Sequence, residues 1–154
     1  MTILKNAIVI DASPEKVWSA LASLEALEHY DPGVKSSRIV SREREGLGAI
    51  RKCELTPGGW FEEKVSGWNP RNSLSFELVR CTLPVRRLSH SYLLSPAGAG
   101  TRVEQRMEYE LKFGPIGKVM DRLIVRRKWD AGIKGFFVGL KKYVEESSEG
   151  SIEG

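Results

Sequence analysis

Polar side chains on predicted strands are the residues of this chain best suited to do chemistry. His90 is one of two histidines, and alternation along residues 85–94 places it on the covered face of its strand, together with Tyr92. A histidine in a pocket titrates near neutral pH and can serve as a general acid or base. The alternative is a buried histidine whose hydrogen bonding one neighbour satisfies. The residues leave both interpretations open.

The next predicted strand, residues 102–112, adds polar groups to the same covered face. That face carries Val103, Gln105, Met107, Tyr109 and Leu111, whereas charged residues alternate with them on the other. A packed core favours Val, Leu and Ile, so a buried Gln105 requires a partner or a water molecule. Polar tips on an otherwise apolar face favour a ligand cavity over a solid core. We therefore predict that Tyr92, Gln105, Met107 and Tyr109 line a cavity.

Arg51 is a further candidate, on a short predicted strand over residues 49–55. Inside an apolar pocket, its guanidinium could hold a carboxylate or enolate oxygen through paired hydrogen bonds. The alternative is an outward Arg51 that pairs with a surface acid, Glu62 or Glu63. Both interpretations stay open.

Two tryptophans, Trp60 and Trp68, lie eight residues apart on the fourth predicted strand and so share a face by parity. Aromatic rings in a cavity wall suit a flat, conjugated ligand. Phe61 and Val65 occupy the opposite face, and a bulge near Gly59 or Gly67 would reverse the assignment. We predict that both tryptophans bind ligand, while the identity of the inner face stays open.

The elements that position these residues are a strand, a short helix, six further strands and a long terminal helix. Residues 3–11 form the first strand, Ser13 can cap the helix that follows, and Pro14 suits its first position. Turn signals rich in Gly, Pro and Asn separate the later strands. This order predicts an α+β fold in which a sheet curves around a helix and leaves a hollow between the two.

The terminal segment has apolar residues at helical spacing, namely Ile116, Met120, Leu123, Ile133, Phe137, Leu140 and Val144. Gly132, Gly135 and Gly139 would each cost about 1 kcal/mol relative to alanine inside a helix, so they indicate a close approach to the sheet or a kink.

A basic patch interrupts this apolar spacing; it comprises Arg122, Arg126, Arg127 and Lys128. Such a patch is commonly a solvated helix face. The alternative is a transient contact with an anionic membrane surface.

Composition narrows the classes of function. The 154 residues carry 24 cations interleaved with 20 acids, for a formal net charge of +4, a pattern that disfavours nucleic acid as a partner. Cys53 and Cys81 form no CxxC pair, so we expect no metal site and no cofactor. With no signal peptide and no apolar run of about 20 residues, we expect a cytoplasmic protein, monomeric or homodimeric. We expect one domain over residues 1–146 and a disordered polar tail over 147–154.

Four segments carry a family resemblance: Ile8-Val-Ile-Asp-Ala-Ser-Pro-Glu-Lys-Val-Trp18, Gly46-x-Gly48-x-x-Arg51, Glu63-Lys-Val-Ser-Gly-Trp-Asn-Pro70 and Gly100-Thr-Arg-Val103. In this order and spacing, the chain resembles the START-like (SRPBCC) superfamily and, within it, the polyketide cyclase/dehydrase-like group. The resemblance spans roughly residues 3–146. It implies the helix-grip fold, in which a seven-stranded antiparallel sheet wraps around a long C-terminal helix and encloses an apolar cavity.

The resemblance also implies a function, the binding of a hydrophobic or aromatic small molecule such as a lipid, a polyketide or an isoprenoid-like compound. One alternative is a cyclase/dehydrase-type enzyme, in which Arg51 would stabilise an enolate and His90 or Tyr92 would move protons. Another is a module that delivers a quinone or lipid. Two positions depart from the family pattern: Asn69 replaces an Asp that often follows the Trp, and Gln105 replaces a pocket aromatic of the cyclases. Because the sequence shows no fixed acid–base pair, binding is favoured over catalysis.

Overall fold

A computed structural model describes the backbone of residues 1–153 and the side chains of residues 1–147. The strands are β1 (Thr2–Ile10), β2 (Val34–Ile39), β3 (Ile50–Leu55), β4 (Trp60–Asn69), β5 (Ser73–Cys81), β6 (Val85–Ala97) and β7 (Gly100–Leu111). The helices are α1 (Pro14–Ala22), a 3-10 helix (Leu24–His29), α2 (Gly114–Met120), a π-helical turn (Asp121–Val125) and α3 (Arg126–Glu153). Among the described residues, no helix combines the length and the apolarity that crossing a bilayer requires.

The strands form one antiparallel sheet in the order β1-β7-β6-β5-β4-β3-β2. From β3 to β7, neighbouring strands are joined by connections of two to four residues, whereas residues 40–49 join β2 to β3. β1 closes the order beside β7. α3 contacts β1, and its apolar residues join the core that covers one face of the sheet. This is the predicted α+β helix-grip fold.

The first helix begins where the sequence predicts it. The Ser13 hydroxyl accepts a hydrogen bond from the backbone N–H of Lys16, and Pro14 occupies the first helical position. Val17 and Leu21, four residues apart, are buried in the core. The cap satisfies a backbone donor that the helix itself leaves free, and the apolar face fixes α1 against the core.

The apolar residues that share the predicted helical spacing in the terminal segment fall into two groups, one buried and one exposed. In α3, Ile133, Phe137, Leu140 and Val144 are buried. In contrast, Ile116, Met120 and Leu123, which precede α3, are exposed. Helical spacing shows that residues share a face, but the direction of that face depends on how the helix packs. We also predicted a disordered tail over residues 147–154. Most side chains of this tail lie outside the described residues, and its disorder stays a prediction.

One glycine of α3 marks a very close approach between backbones. A Cβ atom added at Gly139 would lie 1.8 Å from the carbonyl oxygen of Tyr30, far inside van der Waals contact. Tyr30 follows the 3-10 helix, and its ring lies 5.2 Å from that of Tyr143 and 5.6 Å from that of Phe136. Gly139 therefore lets α3 approach the 3-10 region closely, whereas the sequence predicted a close approach to the sheet or a kink.

Two substitutions in α3 should separate packing from helix propensity. We expect Gly139→Ala to destabilise the protein by about 3 kcal/mol or more, because the new methyl group meets a backbone atom that cannot move freely. Gly132→Ala is the matched control. Nothing lies within 4 Å of its added Cβ, so it should stabilise the helix by up to about 1 kcal/mol. Urea unfolding of both variants measures the difference in unfolding free energy. Equal changes in the two variants would contradict the contact between Gly139 and Tyr30.

Candidate functional site

Three ionisable side chains form a buried chain beneath the sheet's covered face. Arg51 donates to Glu63 Oε1 from Nε at 3.0 Å and from Nη2 at 2.5 Å. Its Nη1 donates to the backbone oxygen of Leu24 at 3.2 Å. The other carboxylate oxygen, Oε2, lies 2.6 Å from Nε2 of His90. Glu63 thus joins a guanidinium on β3 to an imidazole on β6.

Strand register brings these residues together. Arg51 pairs directly with Glu63 across β3 and β4, and directly opposed side chains share a face of the sheet. His90 pairs with Phe76 across β5 and β6. The ring of Phe76 lies 4.6 Å from Cζ of Arg51 and stacks on His90 at 5.0 Å. Phe76 therefore supports both of the groups that bind Glu63.

The electrostatics fix the charge of Glu63. Burial by itself would raise the pKa of this carboxyl, but the positive charge of Arg51, the influence of His90 and the hydrogen bonds from both outweigh it. The pKa of Glu63 is therefore lowered to about 2, and the group is a carboxylate at neutral pH. Because a carboxylate only accepts hydrogen bonds, Nε2 of His90 is the donor.

A cavity with two adjoining compartments lies between the sheet and α3. The outer compartment, of about 500 Å³, is bordered by the β3–β4 turn, the β5–β6 turn and the first half of α3. The inner compartment, of about 160 Å³, is bordered by Glu63 and His90. Both compartments are lined by Leu55, Phe61, Leu83, Met107 and Trp129. The cavity is thus largely apolar, with the buried ion chain at its inner end.

Two buried polar atoms beside this cavity have no hydrogen-bond partner within the described part of the chain: Oε1 of Gln105 and Nδ1 of His90. The Nε2 group of Gln105 donates to the hydroxyl of Tyr92 at 3.2 Å. Burial raises the pKa of that hydroxyl well above its usual range, so Tyr92 is neutral. Buried polar atoms in proteins usually have partners, so each of these two atoms has unused hydrogen-bonding capacity.

The structure brings together only part of the predicted site. His90, Gln105 and Met107 line the cavity, and Tyr92 lies directly behind, between His90 and Phe136. Arg51 is buried, which excludes the surface alternative. Its guanidinium is already bound to Glu63 and Leu24 and lines neither compartment, so the prediction that it holds a ligand oxygen needs correction.

The assignment of Trp60 and Trp68 to the cavity wall is also corrected. Ser66 is an extra residue in the pairing of β4 with β5, between Val65 and Gly67, and such a bulge reverses parity along the strand. Trp60 lies on the outer face, where its ring contacts Lys52 at 4.5 Å and Arg80 at 5.6 Å. Trp68 packs edge-on against Trp18 of α1 at 5.1 Å, outside the cavity.

Tyr109 is the last predicted residue that needs correction. It lies on the covered face, as its parity predicts, but is fully buried. Its hydroxyl donates to Asp121, and its ring packs 4.6 Å from that of Trp129. Tyr109 therefore attaches the π-helical turn to the sheet instead of facing a ligand.

Sequence reasoning named Glu63 only as a surface partner of Arg51 and missed that its buried carboxylate organises the inner compartment. A signal was available, because Glu63 lies between Phe61 and Val65 at strand spacing, and all three face the core. Trp129 and Phe136 of α3 were missed as well. Among the described residues, no group of three His, Cys, Asp or Glu side chains is placed to hold a metal ion.

A comparison with protein families identifies the chain. The model for a family described as polyketide cyclase/dehydrase and lipid transport matches residues 1–145. The chain belongs to this family. The search of curated proteins found no match to the sequence. The comparison with solved structures shows which known proteins share the fold.

Solved structures of the same fold include three informative neighbours. The protein TTHA0849 from Thermus thermophilus has a TM-score of 0.82 at 24% identity, covering 96% of this chain and 99% of that one. A START superfamily protein from Mycobacterium smegmatis has a TM-score of 0.75 at 16% identity, covering 94% and 97%. A Thalictrum norcoclaurine synthase point mutant, in complex with a transition-state analogue, has a TM-score of 0.71 at 18% identity, covering 96% of each chain.

Removing the charge of Glu63 should be far more damaging than removing that of its neighbour. We expect Glu63→Gln to cost about 3–5 kcal/mol of unfolding free energy, because Arg51 would stay buried without a counter-charge. Glu62→Gln is the matched control, since Glu62 pairs at 2.8 Å with the exposed Arg80. Glu62 is itself buried, but its partner Arg80 is 68% exposed and is solvated when the pair is broken, so the effect on stability should be much smaller. Chemical denaturation at neutral pH measures both.

The same variant predicts a pH dependence. A carboxyl whose pKa falls from 4.5 unfolded to about 2 folded stabilises the protein above pH 4.5, and that contribution is lost as the pH falls towards 2. The loss should be of the order of 3 kcal/mol in the wild-type protein and absent from Glu63→Gln. Parallel acid dependences of the two proteins would contradict a paired Glu63 carboxylate.

Proposed function

We propose that this protein binds a hydrophobic or aromatic small molecule in the cavity between the sheet and α3. The observation that carries the proposal is an apolar cavity bordered by Gln105 and His90, each of which has a buried polar atom without a partner among the described residues. The outer compartment, of about 500 Å³, falls within the range of about 300–1,000 Å³ that is typical of small-molecule sites. A flat or extended molecule, such as a polyketide, a lipid or an isoprenoid, suits this lining.

Charge narrows the chemistry of the ligand. The carboxylate of Glu63 borders the inner compartment, and the guanidinium that neutralises it lines neither compartment. An anionic group deep in the cavity would therefore meet a like charge at low dielectric. In contrast, the free oxygen of Gln105 accepts a hydrogen bond. We infer that the ligand is uncharged at its inner end and carries a hydroxyl or another hydrogen-bond donor beside Gln105, in the outer compartment.

Proton transfer is a second candidate function, favoured by the contact between Glu63 and His90. A carboxylate that holds one imidazole nitrogen orients the ring and leaves the other nitrogen available to a ligand. This favours a cyclase or dehydrase acting on an enolisable compound. Exchange of an acidic C–H of the bound ligand into deuterated water, lost in His90→Asn, would distinguish this enzyme from a protein that only binds.

Occluding the outer compartment should abolish binding. Gly132 lines this compartment, and nothing lies within 4 Å of a Cβ added there, so the ring of Gly132→Phe should enter it. We expect at least a tenfold loss of affinity for 2-naphthol, a fluorescent aromatic probe, because the bulky ring occupies the space of the ligand. Gly132→Ala is the control and should bind as the wild-type protein does. Unchanged affinity in Gly132→Phe would place the binding site elsewhere.

Replacing Gln105 should remove a polar contact with little change in stability. Gln105→Leu eliminates an unpartnered oxygen but also the hydrogen bond to Tyr92, so we expect unfolding free energy to change by less than about 1 kcal/mol. We expect the wild-type protein to bind 2-naphthol more tightly than naphthalene, by on the order of 1–2 kcal/mol. Gln105→Leu should erase this difference, whereas the control Met107→Leu should keep it. Fluorescence titration measures both ligands by direct binding or competition.

Two results would contradict this assignment. A clearly destabilised Gln105→Leu protein with an intact preference for 2-naphthol would place Gln105 in a satisfied core network instead of a cavity wall. Recovery of a small molecule by native mass spectrometry from protein purified from its own host tests the ligand class directly. A tightly bound dianion would contradict the predicted uncharged inner end.

A further inference from the structure

The segment between β7 and α3 presents a large apolar surface to solvent. Its exposed side chains, which we call the apolar stripe, are Phe113, Ile116, Val119, Met120, Leu123 and Ile124, with exposed fractions from 40% to 68%. From Ile116 onward, their spacing of three and four residues is that of one helix face. Single exposed apolar residues are ordinary on protein surfaces, but a contiguous group marks an interaction site.

Contacts on the opposite face fix the direction of the apolar stripe. A Cβ at Gly117 would lie 2.2 Å from the backbone oxygen of Lys112, so α2 packs against the end of β7 through a residue without a side chain. Four residues later, the buried Asp121 accepts hydrogen bonds from the hydroxyls of Tyr109 and Thr2. Because these groups hold the inner face, the stripe cannot turn inward without breaking them.

The backbone at Phe113 supports an interaction role. Its φ is +74°, a region that costs a bulky residue roughly 1–2 kcal/mol. The side chain is nevertheless exposed, so burial of the ring in this protein does not offset that cost. Strained backbone positions cluster at functional sites, and at Phe113 the strain accompanies an aromatic ring that is exposed to solvent.

Cations surround the apolar stripe. Between residues 112 and 128 lie six Lys and Arg residues and a single acid, Asp121. This excess of five positive charges is larger than the formal net charge of +4 of the whole chain. Of the six, Arg126 contacts Asp121 at 3.4 Å; the other five, all exposed, have no ion-pair partner among residues 1–147. Their charge is available to a partner.

The charge also argues against a second copy of this chain as that partner. A two-fold contact through the apolar stripe would place the same surface of each copy opposite itself. The flanking cations of both copies would then lie close together with little opposite charge between them. An anionic partner with an apolar interior satisfies both features, and a membrane that contains acidic lipids has that chemistry.

We propose that the apolar stripe and its flanking cations dock this protein onto an anionic lipid surface. Apolar side chains enter the boundary between headgroups and acyl chains, while Lys118, Arg122 and Arg127 contact lipid phosphates. The site lies beside the cavity, because Ile124, Val125 and Lys128 line the outer compartment. Docking would therefore bring the cavity opening to the membrane surface. The docking itself does not depend on which ligand the cavity binds.

Flotation with lipid vesicles tests the proposal. The full chain should bind vesicles of phosphatidylcholine with about one third phosphatidylglycerol, and bind pure phosphatidylcholine vesicles at least tenfold more weakly. Binding should weaken further as salt rises from about 0.05 to about 0.5 M, because salt screens exposed charges.

Paired variants separate the contribution of the apolar side chains to vesicle binding from that of the cations. Ile116→Ser with Leu123→Ser should lose vesicle binding at least tenfold, whereas Leu47→Ser with Leu93→Ser, also exposed but outside the stripe, should not. Arg122→Gln with Arg127→Gln should lose about tenfold or more. Its control is Lys35→Gln with Arg42→Gln, which removes the same charge from another exposed region and should have a smaller effect.

Three results would overturn the proposal: no binding to the anionic vesicles at low salt, equal binding by the stripe variant and its control, or a wild-type dimer that the stripe variant dissociates. The last would assign the surface to self-association. Binding of 2-naphthol in solution should be unchanged in the stripe variant. A failure of docking is therefore distinguishable from a failure of the proposed cavity function, which the variants at Gly132 and Gln105 test separately.

Discussion

Burial of the carboxylate of Glu63 is the constraint on which the arrangement of this protein depends, because an isolated charge inside a protein is costly. Arg51 from β3 and His90 from β6 satisfy it from both sides, so the positions of three strands are linked through one side chain. Phe76 packs on both partners. The ion chain therefore occupies space that apolar side chains would otherwise fill.

This arrangement determines where hydrogen bonding remains available. Arg51 directs its described hydrogen bonds to the protein itself, and Glu63 is bound at both oxygens. Among the buried side-chain atoms of the described part of the chain, only Nδ1 of His90 and Oε1 of Gln105 are left without partners. The buried polar groups available beside the cavity are thus few, and each has a fixed position. A site of this kind selects ligands by the placement of one or two hydrogen bonds and by shape.

Sequence predicted the fold and two strands well because their signals are local and uninterrupted. Along β7, apolar and charged residues alternate, and in β6 the covered His90 and Tyr92 alternate with Ser89, Ser91 and Leu93. No bulge lies near these residues, and burial follows the parity. In β4 the extra residue Ser66 breaks the parity. It lies beside Gly67, where the sequence allowed a bulge but did not decide whether one forms. For Arg51, burial was predictable only together with Glu63, since each side chain is tolerated inside because of the other. The exposed Ile116 and Leu123 show that periodicity defines a face without its direction.

The contact between Gly139 and the backbone of Tyr30 has a mechanical consequence for α3. With almost no space between the two backbones, the helix cannot slide along its axis at this point. Near the start of α3, Trp129 packs on Tyr109 and Asp130 accepts a hydrogen bond from Asn6 at 2.8 Å. At 1.5 Å per residue, these contacts lie about 15 Å from Gly139 along the helix. α3 is thus clamped at both ends of the stretch that forms one side of the cavity opening.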